Sequence, residues 1–302
     1  MAPAGAPSRG GPNGLAHPEF LPDPALSRTE MESLQRELAA TATFADDHGI
    51  DPEAVAIEEP ADLTDGLPDA RRETAPDGDQ ETLPGTGPDA GESASPVVVG
   101  VDQAFLTPDD GEDRAVSAAV AIRDGEVVEY ASATTPLSIP YVPGLLAFRE
   151  GEPMLAALDA LEAEPDLLVC DGSGRIHFRE AGVATHVGVL LDVPSVGVAK
   201  SLLCGEPDEP TAERPAGWRT PIRADGSVET AAPDSGTVIG HAYQSRQYPN
   251  SRRVNPLYVS PGHRVSPGTT VEFVEALCAG YKLPEPTRVA DAAADAAKRD
   301  AT

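Results

Sequence analysis

The chain has 302 residues, 50 of them acidic and 22 basic, for a formal net charge of −28 at pH 7. That balance excludes the broad basic face by which most nucleic-acid-binding domains hold phosphate. Only Lys200, Lys282 and Lys298 are lysines, and this lysine-poor, alanine-rich acidity suits a cytoplasm full of salt; there charges are screened within about 3 Å at molar strength, and local arginines and metal ions must do the work of binding phosphate.

Residues 1–24 are rich in Pro, Gly and Ala and predict a disordered tail. Residues 25–48 hold a helix from Leu26 to about Phe44, which Ser27 or Thr29 can cap, with Met31, Leu34, Leu38 and Ala42 on one face. Residues 49–95 read as a disordered acidic insert. From 51 to 95 there are thirteen acids and two arginines among many Pro and Gly, a composition that cannot bury a core.

The folded body is expected over residues 96–283. Val97–Phe105 reads as a strand. Ala115–Ile122 and Glu126–Thr134 alternate around Asp124-Gly125, a type I′ hairpin signal. Pro140-Tyr141-Val142-Pro143-Gly144 is a rigid turn, and a helix follows from Leu145 to Leu161. Pro165–Gly174 holds a short apolar strand that delivers Asp171 into Gly172-Ser173-Gly174. A helix over 180–191 leads into the buried strand Ser195–Lys200. Residues 205–235 are polar, Pro/Gly-rich and read as a surface excursion, with a hairpin signal at Asp225-Gly226. Thr237–Tyr243 and Leu257–Val259 are short strands, Ser260-Pro-Gly-His263 is a turn, and Ser266 caps a helix from Pro267 to Ala279. Residues 284–302 read as a flexible acidic tail. Three antiparallel strands followed by alternating helices and strands predict an α/β fold, a ribonuclease H-like mixed sheet flanked by helices.

Three scattered cysteines read as free thiols in a reducing compartment. The absence of a signal sequence or long apolar run predicts a cytoplasmic protein with no membrane association, and no oligomerisation stripe is visible, so a monomer is expected.

In this topology the acids ending the first and fourth strands, Asp102 and Asp171, face each other and can share divalent metal. Glu150, at the start of a helix, can complete an oxygen-ligand set suited to Mg2+. Lys200 is retained at the end of an apolar strand in an arginine-based chain, which suggests a point charge placed for a phosphate or a water. His263 can carry a proton or neighbour the metal, and His177 and His186 lie in the glycine-rich region after Asp171.

Four blocks, Tyr141–Glu150, Asp171–His177, Gly188–Lys200 and Ser260–His263, together resemble the motifs of the endonuclease V family, in order, and the acidity points to a haloarchaeal member. The resemblance implies a Mg2+-dependent endonuclease, with Mn2+ as a substitute, that recognises deoxyinosine in DNA. It would cut the second phosphodiester bond 3′ to the lesion, leaving 3′-hydroxyl and 5′-phosphate ends. Asp102, Glu150 and Asp171 would hold metal, and Lys200 and His263 would assist the cut phosphate. Pro140–Gly144 would be a wedge, with Tyr141 stacking where the lesion leaves the helix. Gly172, Gly174, His177 and His186 would line the lesion pocket. Ser173 stands where the family usually has His or Gln, and Gln103-Ala-Phe105 departs from the usual block after the first acid. Inosine-containing RNA is the alternative substrate, and another ribonuclease H-like nuclease, such as a junction resolvase, the alternative enzyme. A non-catalytic binder would be expected to lack one of these acids.

Overall fold

A computed structural model describes residues 14–71, 95–108, 111–230 and 236–301. Nine strands form one mixed sheet in the order β3-β2-β1-β4-β5-β9-β8-β7-β6. β1 (Val98–Leu106), β2 (Arg114–Arg123) and β3 (Glu126–Pro136) make the expected meander. Asp124 and Gly125 turn it with φ of 53° and 76°, the conformation that an Asp-Gly pair accepts at little cost. β4 (Leu167–Asp171) and β5 (Ser195–Ala199) run parallel to β1, which gives the ribonuclease H-like arrangement. β9 (Leu257–His263) and β8 (Val238–Tyr243) extend the sheet antiparallel on the far side of β5.

Period-two alternation splits the core. Val98, Leu167, Val169 and Val198 face one side, covered by α4 (Pro267–Ala276) and α5 (Glu285–Asp300). Val99, Val101, Leu168 and Cys170 face the other, covered by α2 (Leu146–Asp159) and α3 (Val183–Leu191). α1 (Arg28–Thr41) starts at Ser27 in a full capping box with Glu30, as the sequence suggested, and buries Met31 and Leu38. No helix among the described residues is long and apolar enough to cross a membrane. The three cysteines are free, and burial pushes each thiol up to about 12, so none is a ready nucleophile.

Five expectations are corrected. The tail 284–302 is not flexible: α5 packs Val289, Ala290, Ala293 and Ala294 into the core. An alanine face looks featureless in sequence, yet its small side chains let a helix lie close to a sheet. Gly100 completes that fit, because a Cβ there would stand 2.0 Å from the Pro286 carbonyl oxygen. Residues 49–71 of the expected insert 49–95 are packed on the body. Val55 and Ile57 are buried, the Ile57 amide donates to Ala276, and the Arg71 amide to Val127; two apolar residues sufficed where composition suggested none would. Residues 72–94 lie outside the described part. Of the tail 1–24, residues 14–24 are placed, with Leu15 and Phe20 buried and the Ala16 amide donating to Leu190; residues 1–13 lie outside.

The excursion at 205–235 contains β6 (Glu206–Pro207) and β7 (Arg219–Arg223), the latter paired with β8 and burying Ile222, although Pro221 disguised it. Asp225-Gly226 does not form the two-residue hairpin, since the ladder ends at Arg223 and Val238. Finally, Ser260–His263 is the end of β9 rather than a turn. Pro261-Gly262 sits at a register shift, where a Cβ on Gly262 would stand 2.3 Å from Ser195 Oγ and 2.6 Å from the Ala184 carbonyl oxygen.

Candidate active site

The parallel register sets Val101 beside Cys170, so the next residues on each strand, Asp102 and Asp171, are neighbours at the carboxyl end of the ladder. By alternation both side chains face α5. Crevices at the carboxyl ends of parallel strands are where open α/β sheets bind ligands. β4 stops at Asp171, while β1 continues to Leu106, so Asp102 lies within its strand.

Asp102 is 5% exposed. Burial and the charge of Asp171 push its carboxyl up to about 8. Lys200, just past β5, donates from Nζ to Asp171 Oδ2 at 2.8 Å. Burial opposes its charge, but that bond and the charges of Asp171, Asp102 and Asp291 hold it above the ordinary lysine range. Glu150 comes from the first turns of α2, on the other face of the sheet. Gln103 Nε2 donates to its backbone carbonyl at 2.8 Å, and burial, with the charge of Asp171, raises its carboxyl to about 7 against the opposing charge of Arg149.

Asp291 is the member that sequence reasoning missed. It acts on both Asp102 and Lys200 through its charge. It lies on α5 beyond Pro286, where that helix touches Gly100 on the sheet, and is exposed, off the helix face that packs Val289, Ala290, Ala293 and Ala294. The available signal was the Pro-Glu-Pro opening of a helix in an alanine-rich tail.

The turn Pro140–Gly144 is a built feature. Tyr141 is 66% exposed at its tip, while Val142 packs against the cluster of Met31, Leu145 and Phe148. Arg149 Nη1 donates to the Ile139 carbonyl at 2.8 Å and Arg179 Nη2 to the Gly144 carbonyl at 3.0 Å, clamping both ends. Buried Arg179 is itself fixed by Gln35 at 2.7 Å and Glu229 at 3.0 Å. His177 belongs here. Burial and Arg179 lower its pKa to about 4, against a bond to the Gly144 backbone, so the neutral ring supports the turn.

Two other histidines do not join the site. His263 pairs with Ser195 while Asp171 pairs with Val198, which puts it about 10 Å away along the sheet. Its Nδ1 accepts the Thr43 amide at 3.1 Å and its Nε2 contacts Asp192 at 3.0 Å. The expected role at the cut phosphate is therefore corrected to anchoring the segment after α1. His186 is fully buried, with Nε2 2.7 Å from the Phe20 carbonyl and the ring edge-on to Phe148; it anchors the N-terminal segment. Glycine at 172 and 174 has a packing reason, since a Cβ would stand 2.5 Å from Val183 Cγ1 and 2.2 Å from the Pro261 carbonyl oxygen respectively.

Among the described residues no three acidic, His or Cys side chains close around an ion by themselves. The donor set nevertheless fits a hard cation that keeps its waters. Mg2+ commonly takes one or two carboxylates plus substrate phosphate, and the raised pKa values of Asp102 and Glu150 mark negative charge without enough compensation. Those shifts carry a sign. Unfolded carboxyls titrate near 4, so the folded metal-free site binds more protons than the unfolded chain between about pH 4 and 8, and stability falls as pH rises through that window. Asp102→Asn is therefore expected to raise Tm in EDTA by about 3–6 °C at pH 8 and hardly at pH 5. A scanning-calorimetry series on both proteins checks this; a gain equal at both pH values contradicts it.

A family model described as Endonuclease V matches residues 87–292. The endonuclease V of Haloarcula marismortui is 56% identical over 283 residues, covering 93% of this chain and 96% of that protein, and its haloarchaeal source accords with the acidic composition. The crystal structure of endonuclease V from Streptomyces avermitilis is 33% identical with a TM-score of 0.62, covering 91% of this chain and 95% of that one. The Ciona intestinalis endonuclease V, solved with a 24mer DNA containing an inosine followed by a ribo-adenosine, shares the fold at 24% identity and TM-score 0.62, covering 91% and 98%. This chain is an endonuclease, and it belongs to the endonuclease V family.

Proposed function

We propose that the protein is a Mg2+-dependent, cytoplasmic, monomeric repair enzyme that recognises deoxyinosine in DNA and hydrolyses the second phosphodiester bond on its 3′ side, leaving 3′-hydroxyl and 5′-phosphate ends. The observation that carries this reading is the pair Asp102 and Asp171 beside Lys200, at the same sheet edge as Glu150 and Asp291. The inosine-containing DNA held by the Ciona relative supports the substrate.

Mg2+, when bound, supplies positive charge to the phosphate oxygens and makes its water more acidic. Asp102 and Asp171 would hold it, with Glu150 and Asp291 available to complete the set. Burial and the charge of Asp171 raise the Glu150 carboxyl in the metal-free protein, and a bound cation would offset that by favouring its ionised form. Lys200, now bound to Asp171, meets the phosphate that arrives. Tyr141 fills the gap left by the extruded base. Unstacking a base costs a few kcal/mol, and a clamped turn loses little entropy when it stacks in that place.

The test uses oligonucleotides that differ only in inosine or adenine at one position, in molar KCl with Mg2+. Only the inosine strand should be cut, and equal cutting of both would remove the lesion assignment. Tyr141→Ala should weaken binding of the inosine strand by about tenfold or more while leaving the Mg2+ concentration for half-maximal cutting unchanged. Unchanged affinity would deny Tyr141 the wedge role.

A further inference from the structure

Most arginines of this acidic chain have a carboxylate partner, from Arg28 with Glu32 to Arg288 with Glu285. Arg246, Arg252, Arg253 and Lys282 form no ion pair among the described residues; the three arginines share one loop, to which the Lys282 segment is tied, and Arg252 Nη1 donates to the Glu213 carbonyl at 3.2 Å. The loop between β8 and β9 turns at Tyr248 and Ser251, which form a bridge, and carries the three arginines. Ser245 Oγ donates to the Lys282 carbonyl at 2.6 Å, tying that loop to the segment before α5. The Arg246 guanidinium lies 5.5 Å from the ring of Tyr248 and 5.7 Å from that of Tyr281. Tyr248 and Tyr281 are 52% and 43% exposed, and the Arg288 guanidinium lies 4.2 Å from the Tyr281 ring, so Tyr248 is the more open of the two.

The loop is stiff. Gln244, fully buried, donates from Nε2 to the carbonyls of Arg246 and Val254 at 2.8 and 3.0 Å, and Gln247 Nε2 reaches Val254 at 3.0 Å. Its position follows from the sheet. Tyr258, near the start of β9, pairs with Ala199 at the end of β5, so the loop rises from the same edge as Lys200. The charge of Lys200, together with burial, is felt at Lys282 as a lowered pKa. In the strand order, β3, which leads into the Tyr141 turn, lies on one side of the Asp102–Asp171 pair, and β9 and β8 lie on the other.

We propose that Arg246, Tyr248, Arg252, Arg253, Tyr281 and Lys282 form a platform for the substrate strand on the 3′ side of the cut, stacking its bases on the two tyrosines and holding its phosphates with the four cations. This rests on the reading of the site as an inosine-strand nuclease. Salt selects the mixture of groups. At molar ionic strength, phosphate contacts alone lose most of their value. Stacking on an aromatic face, with a guanidinium beside it, is short-ranged and survives.

The test compares single-inosine strands that end 2 or 10 nucleotides beyond the expected cut, with a fixed 5′ side, in molar KCl. The readout is kcat/KM on the long strand over that on the short one. The wild type should favour the long strand by about tenfold. Tyr248→Ala and Arg246→Ala should bring the ratio toward one, and Tyr248→Phe, which keeps the ring, should restore it. A ratio near one for wild type, or an unchanged ratio in both alanine variants, overturns the platform. Absence of cutting on either strand by wild type would instead count against the function itself.

Discussion

Asp171→Asn should yield a folded protein that no longer cuts. The substitution keeps the side chain's shape, and the lost bond from Lys200 is partly exposed, so the fold should stand or gain. Removing the charge beside Asp102 also relieves the repulsion that raises that carboxyl. What disappears is one of the two adjacent carboxylates proposed to hold metal, together with the hydrogen-bond partner of Lys200. Groups that act as a unit lose most of their effect when one is removed, and a fall of about a thousandfold or more in kcat is expected. Rates from a gel assay, with calorimetric Tm on the same preparation, check it. A rate within tenfold of wild type would mean that Asp171 is not part of the cutting centre.

Gly100→Ala should have the second largest effect, although residue 100 touches no substrate. The added Cβ would stand 2.0 Å from the oxygen and 2.2 Å from the carbon of the Pro286 carbonyl, and neither the central strand nor the helix start is free to yield. α5 must retreat, and Asp291 with it. Overpacking of this kind costs about 1–3 kcal/mol. A displacement of a functional carboxylate by even 1 Å can cost about a hundredfold in rate. Activity should therefore fall well below what the folded fraction explains. Gly226→Ala, where a Cβ meets nothing within 4 Å, is the silent control. Loss of stability with full activity per folded molecule would show that α5 does not position the site.

The adjacency of Asp102 and Asp171 was legible because a buried strand with an acid at its end is a local pattern. Leu167–Asp171 and Val98–Asp102 each announce themselves, and only their pairing had to be supplied by topology. The Asp-Gly hairpin and the capped α1 and α4 were legible for the same reason. The failures were non-local. Asp291 sits on the exposed side of a helix whose alanine face is turned inward and whose closest approach to the sheet is at a glycine nearly 190 residues earlier, so neither half carries a hydrophobic signal. His263 stands in a Pro-Gly context that reads as a turn, and only the register with Ser195 reveals that it points to the far end of the sheet. His186 and His177 looked alike in sequence, yet one bonds to Phe20 and the other supports Gly144, because a histidine's work is set by what packs against it. Residues 49–71 carry the composition of a linker, and two apolar contacts with paired backbone groups hold them down.

In the proposed mechanism the carboxylates at the sheet edge direct one metal-dependent cut at a fixed distance from inosine. Mapping the nick on an end-labelled duplex with a single deoxyinosine, in molar KCl with Mg2+ or with EDTA, tests it directly. One nick is expected, at the second phosphodiester bond 3′ to the lesion, with a ligatable 5′-phosphate, and none in EDTA. Cutting that persists in EDTA, or nicks scattered without regard to the inosine, would contradict it.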